Sequence, residues 1–185
     1  MKELDKARAI ALEGTDADKA EAAFRRQMEQ WKVPLPPAKV LVLDFGLGNF
    51  DGMGLIECWI ANEMEAGYCG KYLFLFDGQV CPAHLHEEKH ETFYVAKGSI
   101  SIHVDGVESR MTEGDVLALP PGKMHSFTGI GPALLLELST PCMVDDNYFA
   151  NPEIPIGKNT KPKQPAPHWE IKNGKRDIPS SPGRL

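Results

Sequence analysis

From residue 40 to residue 139 the chain is a succession of short apolar runs, with glycine, proline or Asp-Gly between most of them. The runs fall at 40–45, 55–62, 71–76, 91–96, 99–104, 107–111, 116–119, 125–128 and 133–139, and each is rich in β-branched, aromatic or aliphatic residues. Such runs read as strands, and Asp105-Gly106 is a strong two-residue hairpin signal. Many short strands with no helix between them predict an antiparallel sandwich or barrel. A chain of 185 residues, 42% hydrophobic, has material for one domain with a real core and some appended segments.

The flanks read differently. Residues 3–32 carry a helical period: Leu4, Ala7, Ala11 and Leu12 make a short apolar face that Gly14 interrupts. Thr15 or Asp16 is then expected to cap a second helix, along which Ala20, Phe24, Met28 and Trp31 recur. A helix packed on the outside of the main fold is the expectation, ahead of a partner-binding helix. Pro34, Pro36 and Pro37 end it. After Tyr148, Pro152, Pro155, Pro162, Pro165, Pro167, Pro179 and Pro182 are interleaved with Lys, Asn and Gly. That composition predicts a tail of little regular structure lying over its own or a neighbouring subunit. The expected division is a helical segment at 1–37, a β-barrel at 38–150 and an irregular Pro-rich tail at 151–185.

Net charge is -6 without a long basic run, which argues against nucleic acid and anionic membranes as main partners. No apolar stretch approaches the roughly 20 residues of a membrane span, and MKELDKARAIALEG lacks the continuous apolar core of a secretory signal. Cys58, Cys69, Cys81 and Cys142 are scattered with no C-x-x-C pair, so they are expected to be reduced thiols in a cytoplasmic protein. Phe45-Gly46-Leu47-Gly48-Asn49 lacks the third glycine and the following helix of a nucleotide loop, and reads as a turn.

The chemistry is concentrated in residues 78–98, GQVCPAHLHEEKHETFYVAKG. His84 and His86, two apart on a strand, share a face, and Glu91 can return to it after a turn. A second punctuated segment, residues 114–125, GDVLALPPGKMH, supplies His125. Three imidazoles and one carboxylate suit Mn, Fe, Co, Ni or Zn and do not choose among them. His90 is expected to face away from Glu91 into solvent, and His103 to be a surface or packed histidine.

Together the two segments resemble the cupin pattern: G-x5-H-x-H-x4-E-x6-G from Gly78 to Gly98, then G-x5-P-x-G-x2-H from Gly114 to His125. Gly129 stands where the second motif usually ends in Asn. Further segments resemble the D-lyxose isomerase family of sugar ketol-isomerases: residues 44–48, Gly54-Leu55, Tyr68-Cys69 with Lys71, residues 78–86 and residues 89–93. Pro120-Pro121, Glu137-x-Ser139 and Asp146-Asn147-x-Phe149 fit as well, while Glu153 departs from relatives with a basic residue there. The likeness spans about residues 43–152. It implies an all-β, single-domain cupin barrel, an antiparallel jelly-roll, with His84, His86, Glu91 and His125 as metal ligands and Mn(II) as the working metal. The implied reaction interconverts D-lyxose and D-xylulose, and D-mannose and D-fructose, through a cis-enediol. A homodimer is expected, with a monosaccharide as substrate. The same ligand set also serves Fe(II) dioxygenases, and some cupins only bind a sugar.

Two residues are candidates for proton transfer. Lys89, two before Glu91, faces the metal side on an extended segment, where a nearby cation and desolvation predict a depressed pKa. An exposed turn lysine in EEKHE is the alternative, and the K-x-E-T-F match favours the site. Glu137 interrupts the apolar run ALLLELS, opposite Leu134, Leu136 and Leu138. An acid on the inner face of a small barrel is costly unless paired or functional, so Glu137 is either the partner of Lys89 or a structural ion pair. Lys71, Tyr94, Asp146 and Phe149 are candidate substrate contacts, Phe149 by closing the site or as ordinary core. The absence of an Arg or Lys cluster argues against a sugar phosphate.

Overall fold

A computed structural model describes residues 2–157. Eleven strands form there: β1 (Val40–Leu43), β2 (Leu55–Glu63), β3 (Tyr68–Leu75), β4 (Val80–Leu85), β5 (Glu91–Lys97), β6 (Ser99–Val104), β7 (Val107–Thr112), β8 (Val116–Leu119), β9 (His125–Gly129), β10 (Ala133–Ser139) and β11 (Tyr148–Phe149). They pair antiparallel into two sheets, β1-β2-β3-β10-β5-β8 and β11-β4-β9-β6-β7, the two walls of a jelly-roll. The β6–β7 hairpin turns at Asp105 and Gly106, both in the left-handed region at φ 50° and 81°, which matches the right-handed twist of the strands they join.

Alternation of side chains divides the six-stranded sheet between two cores. Leu73, Leu75, Phe93, Val95 and Leu135 point inward to meet Ile100, Ile102 and Phe127 of the other sheet. Val42, Ile56, Phe74 and Leu134 point outward, where α2 (Thr15–Trp31) covers them with Phe24 and Met28. The Phe24 and Trp31 rings stand 5.1 and 6.1 Å from that of Phe74.

The N-terminal segment differs from the sequence reading in detail. α1 (Lys2–Ala7) lasts little more than a turn before a 3-10 turn at Arg8–Ile10, because Ala11 leaves the helix to bridge Leu43. Thr15 is already helical. The N-cap is Gly14 at φ 73°, without a side-chain capping bond, so neither Thr15 nor Asp16 caps the helix. Residues 151–157 are turns and bends, and the rest of the expected tail lies outside the described residues.

This architecture sets the site at one end of the barrel. β4 and β9 deliver His84 and His125 directly opposite each other, and His86 follows the end of β4. From the facing sheet, β5 and β10 deliver Glu91 and Glu137, and β3 and β2 deliver Lys71 and Glu57.

Candidate metal centre and active site

Three imidazoles converge here. His84, His86 and His125 are all buried, with ligand-capable nitrogens within 4.8 Å of one another. Each Nδ1 faces a backbone carbonyl: His84 that of Pro82 at 2.8 Å, His86 that of Asp146 at 2.9 Å, His125 that of Lys123 at 2.9 Å. A carbonyl only accepts, so each Nδ1 carries a proton, and in the neutral ring Nε2 is the nitrogen with the lone pair. Burial, with the other imidazoles close by, holds His84 well below its ordinary pKa, and burial also lowers His125. Nε2 of His86 and of His125 are buried and make no hydrogen bond. They stand 3.4 and 3.3 Å from the two oxygens of Glu91. Orphaned neutral nitrogens facing a carboxylate fit a divalent cation, which these four residues would hold.

From Glu91 a row of buried opposite charges crosses the six-stranded sheet. Lys89 Nζ lies 2.6 Å from Glu91 Oε1 and 2.7 Å from Glu137 Oε1. Lys71 Nζ lies 3.2 Å from Glu137 Oε2 and 3.3 Å from Glu57 Oε1. Trp59 Nε1 donates to Glu57 Oε2 at 2.6 Å, and Ser139 Oγ donates to Glu137 at 3.0 Å. The expected depression of Lys89 is corrected here. Burial pulls its pKa down, but the Glu137 and Glu91 carboxylates outweigh burial and hold it above the ordinary value. Burial pushes Glu137 up, and Lys71 and Lys89 outweigh it, so Glu137 stays ionised. Glu91 is likewise held well below the usual carboxylate range, against its own burial, chiefly by the Lys89 ammonium.

The candidate substrate contacts separate. Lys71 sits in the charge row, and Phe149 lines the same cavity, its ring 5.4 Å from that of His84. Tyr94 is not brought to the site. Glu91 and Phe93 point inward, so by the two-residue period Tyr94 points out, and it is 39% exposed on the outer face of β5. Asp146 is spoken for by backbone: its carboxylate accepts the amides of Glu87, Glu88 and Lys89 at 3.0 to 3.3 Å. With its carbonyl on His86, Asp146 fastens the irregular segment that carries Lys89 to the ligand strand. His90 and His103 are exposed, as their positions imply.

Two cavity residues escaped the sequence reading. Phe45 holds a left-handed backbone at φ 57°, uncommon for an aromatic, in a turn where the Asp44 carboxylate accepts the amides of Gly46 and Gly48. Its ring packs edge-on to Phe149 at 5.8 Å. Glu57 is the other: like Glu137 in ALLLELS, it is an acid on the inward register of an apolar stretch, here the first five residues of β2. A surface depression of about 720 Å³ between α2 and the 48–51 turn contains none of the histidines.

Two antiparallel sheets closing on three inward imidazoles and a carboxylate define a cupin whose buried histidine cluster is compatible with a divalent metal. A cupin-domain family model matches residues 75–139. The D-lyxose ketol-isomerase of Cohnella laeviribosi is 30% identical, with 77% of this chain and 94% of that one covered. The D-lyxose/D-mannose isomerase of Thermosediminibacter oceani is 28% identical, with 65% and 81% covered. The ligand-free L-ribose isomerase of Cellulomonas parahominis superposes with a TM-score of 0.63 over 78% of this chain and 95% of that one; at 14% identity it speaks for the fold alone. The chain belongs to the D-lyxose ketol-isomerase family, and it is an isomerase.

Proposed function

We propose that this protein interconverts D-lyxose and D-xylulose, and D-mannose and D-fructose, by moving a proton between C2 and C1 of the open-chain sugar. The observation that carries the reading is the juxtaposition of an ionised carboxylate, Glu137, and an ammonium, Lys89, with the imidazole cluster in one buried cavity. The two relatives, a D-lyxose ketol-isomerase and a D-lyxose/D-mannose isomerase, support the choice of sugars.

His84, His86, Glu91 and His125 would hold the cation, for which we propose Mn(II). When bound it supplies Lewis acidity that stabilises negative charge developing on O1 and O2. The remaining work falls to the protein's own groups. Glu137 accepts the C2 proton, the C–H electron pair becomes the C1–C2 double bond, and Lys89 Nζ protonates O1 to give the cis-enediol. Glu137 then returns its proton to C1 while the O2 proton passes to Lys89, leaving the ketose and both side chains as they began. Lys89 and Glu137, the two candidates for proton transfer, thus divide the work as acid and base, with Lys89 acting as an ammonium rather than as a depressed amine. Phe45 and Phe149 form an apolar wall that keeps water from the enediol.

We read the assembly as a cytoplasmic homodimer. Tyr94, Val116 and Leu138, 39%, 64% and 53% exposed, share the outer face of neighbouring strands, and a second copy would cover them. Sedimentation at twice the chain mass checks this.

The deciding assay strips the protein with chelator, reloads it with Mn(II) and follows ketose formed from D-lyxose and D-mannose. Ketose from D-lyxose, with D-mannose comparable or slower, is the expected result. No ketose from either aldose with Mn, Fe, Co, Ni or Zn would remove the assignment.

A further inference from the structure

We propose that Glu57 anchors the distal hydroxyls of the open-chain sugar, making the β2 end of the charge row a polyol subsite. The inference rests on the isomerase reading and adds to it the group that grips the unreactive end of the substrate.

Glu57 belongs neither to the metal donors nor to the proton-transfer pair, yet it lines the same cavity as His84, His86, Lys89 and Glu137. Placing a carboxylate there carries a desolvation cost that packing alone does not require, since Leu55 and Leu73 beside it are apolar. Its two oxygens are fixed separately: Lys71 Nζ holds Oε1 at 3.3 Å and Trp59 Nε1 holds Oε2 at 2.6 Å. A carboxylate has about four acceptor positions, so two remain after these donors. Adjacent hydroxyls of a polyol are donors that suit such a pair.

The position along the row is right for this role. Lys71 bridges Glu137 and Glu57 at 3.2 and 3.3 Å, so the bridged carboxylate oxygens are no more than about 6.5 Å apart. An open-chain pentose with C2 against Glu137 reaches that far with its C4 and C5 hydroxyls. The row is driest at its reactive part, with the Lys89 and Glu137 side chains each 3% exposed, and opens at Glu57, 12% exposed. A tail group tolerates water; an enediol does not. Trp59, whose ring centroid lies 5.2 Å from Lys71 Nζ, keeps the holder itself in place.

The test compares full-length, Mn(II)-loaded wild type with Glu57→Gln on D-lyxose and on its 4-deoxy and 5-deoxy analogues. A hydrogen bond from a neutral group to a charged one is worth about one to two decades in binding. The expected result is a KM for D-lyxose raised about tenfold or more with kcat lowered no more than about threefold. Wild type should suffer a like rise on one deoxy analogue, and Glu57→Gln should add little further loss there. A fall in kcat at unchanged KM, or an equal KM rise on all three sugars, would overturn the subsite. Trp59→Phe, which keeps the carboxylate and removes one holder, should raise KM in the same pattern by a smaller factor. Unchanged KM in both variants overturns the proposal.

Calorimetric titration with D-arabinitol, which has the hydroxyl pattern of lyxose and cannot react, separates the subsite from turnover. Binding weakened about tenfold in Glu57→Gln supports it, and equal binding by both proteins, or none by wild type, sinks it. Were no aldose isomerised while D-arabinitol binding still depended on Glu57, the isomerase reading would fall and the subsite would stand.

Discussion

Lys89 shows how far a residue's chemistry depends on neighbours remote in sequence. Its place near the cation site follows from its even spacing to Glu91, but its protonation is set by Glu137, which arrives on β10. The gathering of His84, His86 and His125 beside Glu91 was legible because two short motifs fix it by local spacing. Tyr94 could have been discounted by the same parity that selected Lys89, and Glu57 found by the logic that found Glu137. If base and acid are divided as proposed, Glu137→Gln and Lys89→Met should each keep metal at wild-type stoichiometry while kcat falls by about 10²–10⁴. His84→Ala should lose both metal and activity. Metal analysis beside initial rates reads all three, and a wild-type rate for Lys89→Met would remove it from the proton path.

At the scale of elements, the strand runs were readable because alternating burial writes itself into sequence, and α2 because Phe24 and Met28 recur on one face. The end of α1 was not, since a tertiary bridge from Ala11 to Leu43 overrides local helical preference. Nor was the sheet order: β10 pairs with both β3 and β5, and only the closed barrel decides that. The single sheet face shared with α2 makes a separable prediction. Phe24 is fully buried against Phe74, on the side of the sheet away from the charge row. Phe24→Ala should lower unfolding free energy by about 3–5 kcal/mol in urea. Metal stoichiometry and KM should stay at wild-type values, because the inward register of β3 and β10 is untouched. A lost metal site in folded Phe24→Ala would show that the helix and the site are coupled after all.

For the whole molecule, the feature that matters is where the four donors come from. His84, His86 and His125 ride on or just beyond strands of the five-stranded sheet, and Glu91 begins β5 of the six-stranded one. A cation there would fasten the two walls of the barrel to each other, at the end where His84 and His125 face each other across β4 and β9. Without it, the lone pairs of two buried imidazoles and part of the Glu91 charge go unanswered. A ligand that binds only the folded chain adds about 4 kcal/mol of stability at a thousandfold excess over Kd. For a chain of this length that is a rise in Tm on the order of 10 °C. Chelated protein should therefore melt well below the Mn(II)-loaded form, by calorimetry at fixed protein concentration. His84→Ala should melt at the same temperature with and without Mn(II). Glu137→Gln, which leaves the donors in place, should keep most of the metal-dependent rise. Equal melting of stripped and loaded wild type would mean that the donors do not hold the ion in the folded barrel, and the division of labour along the charge row would have to be drawn again.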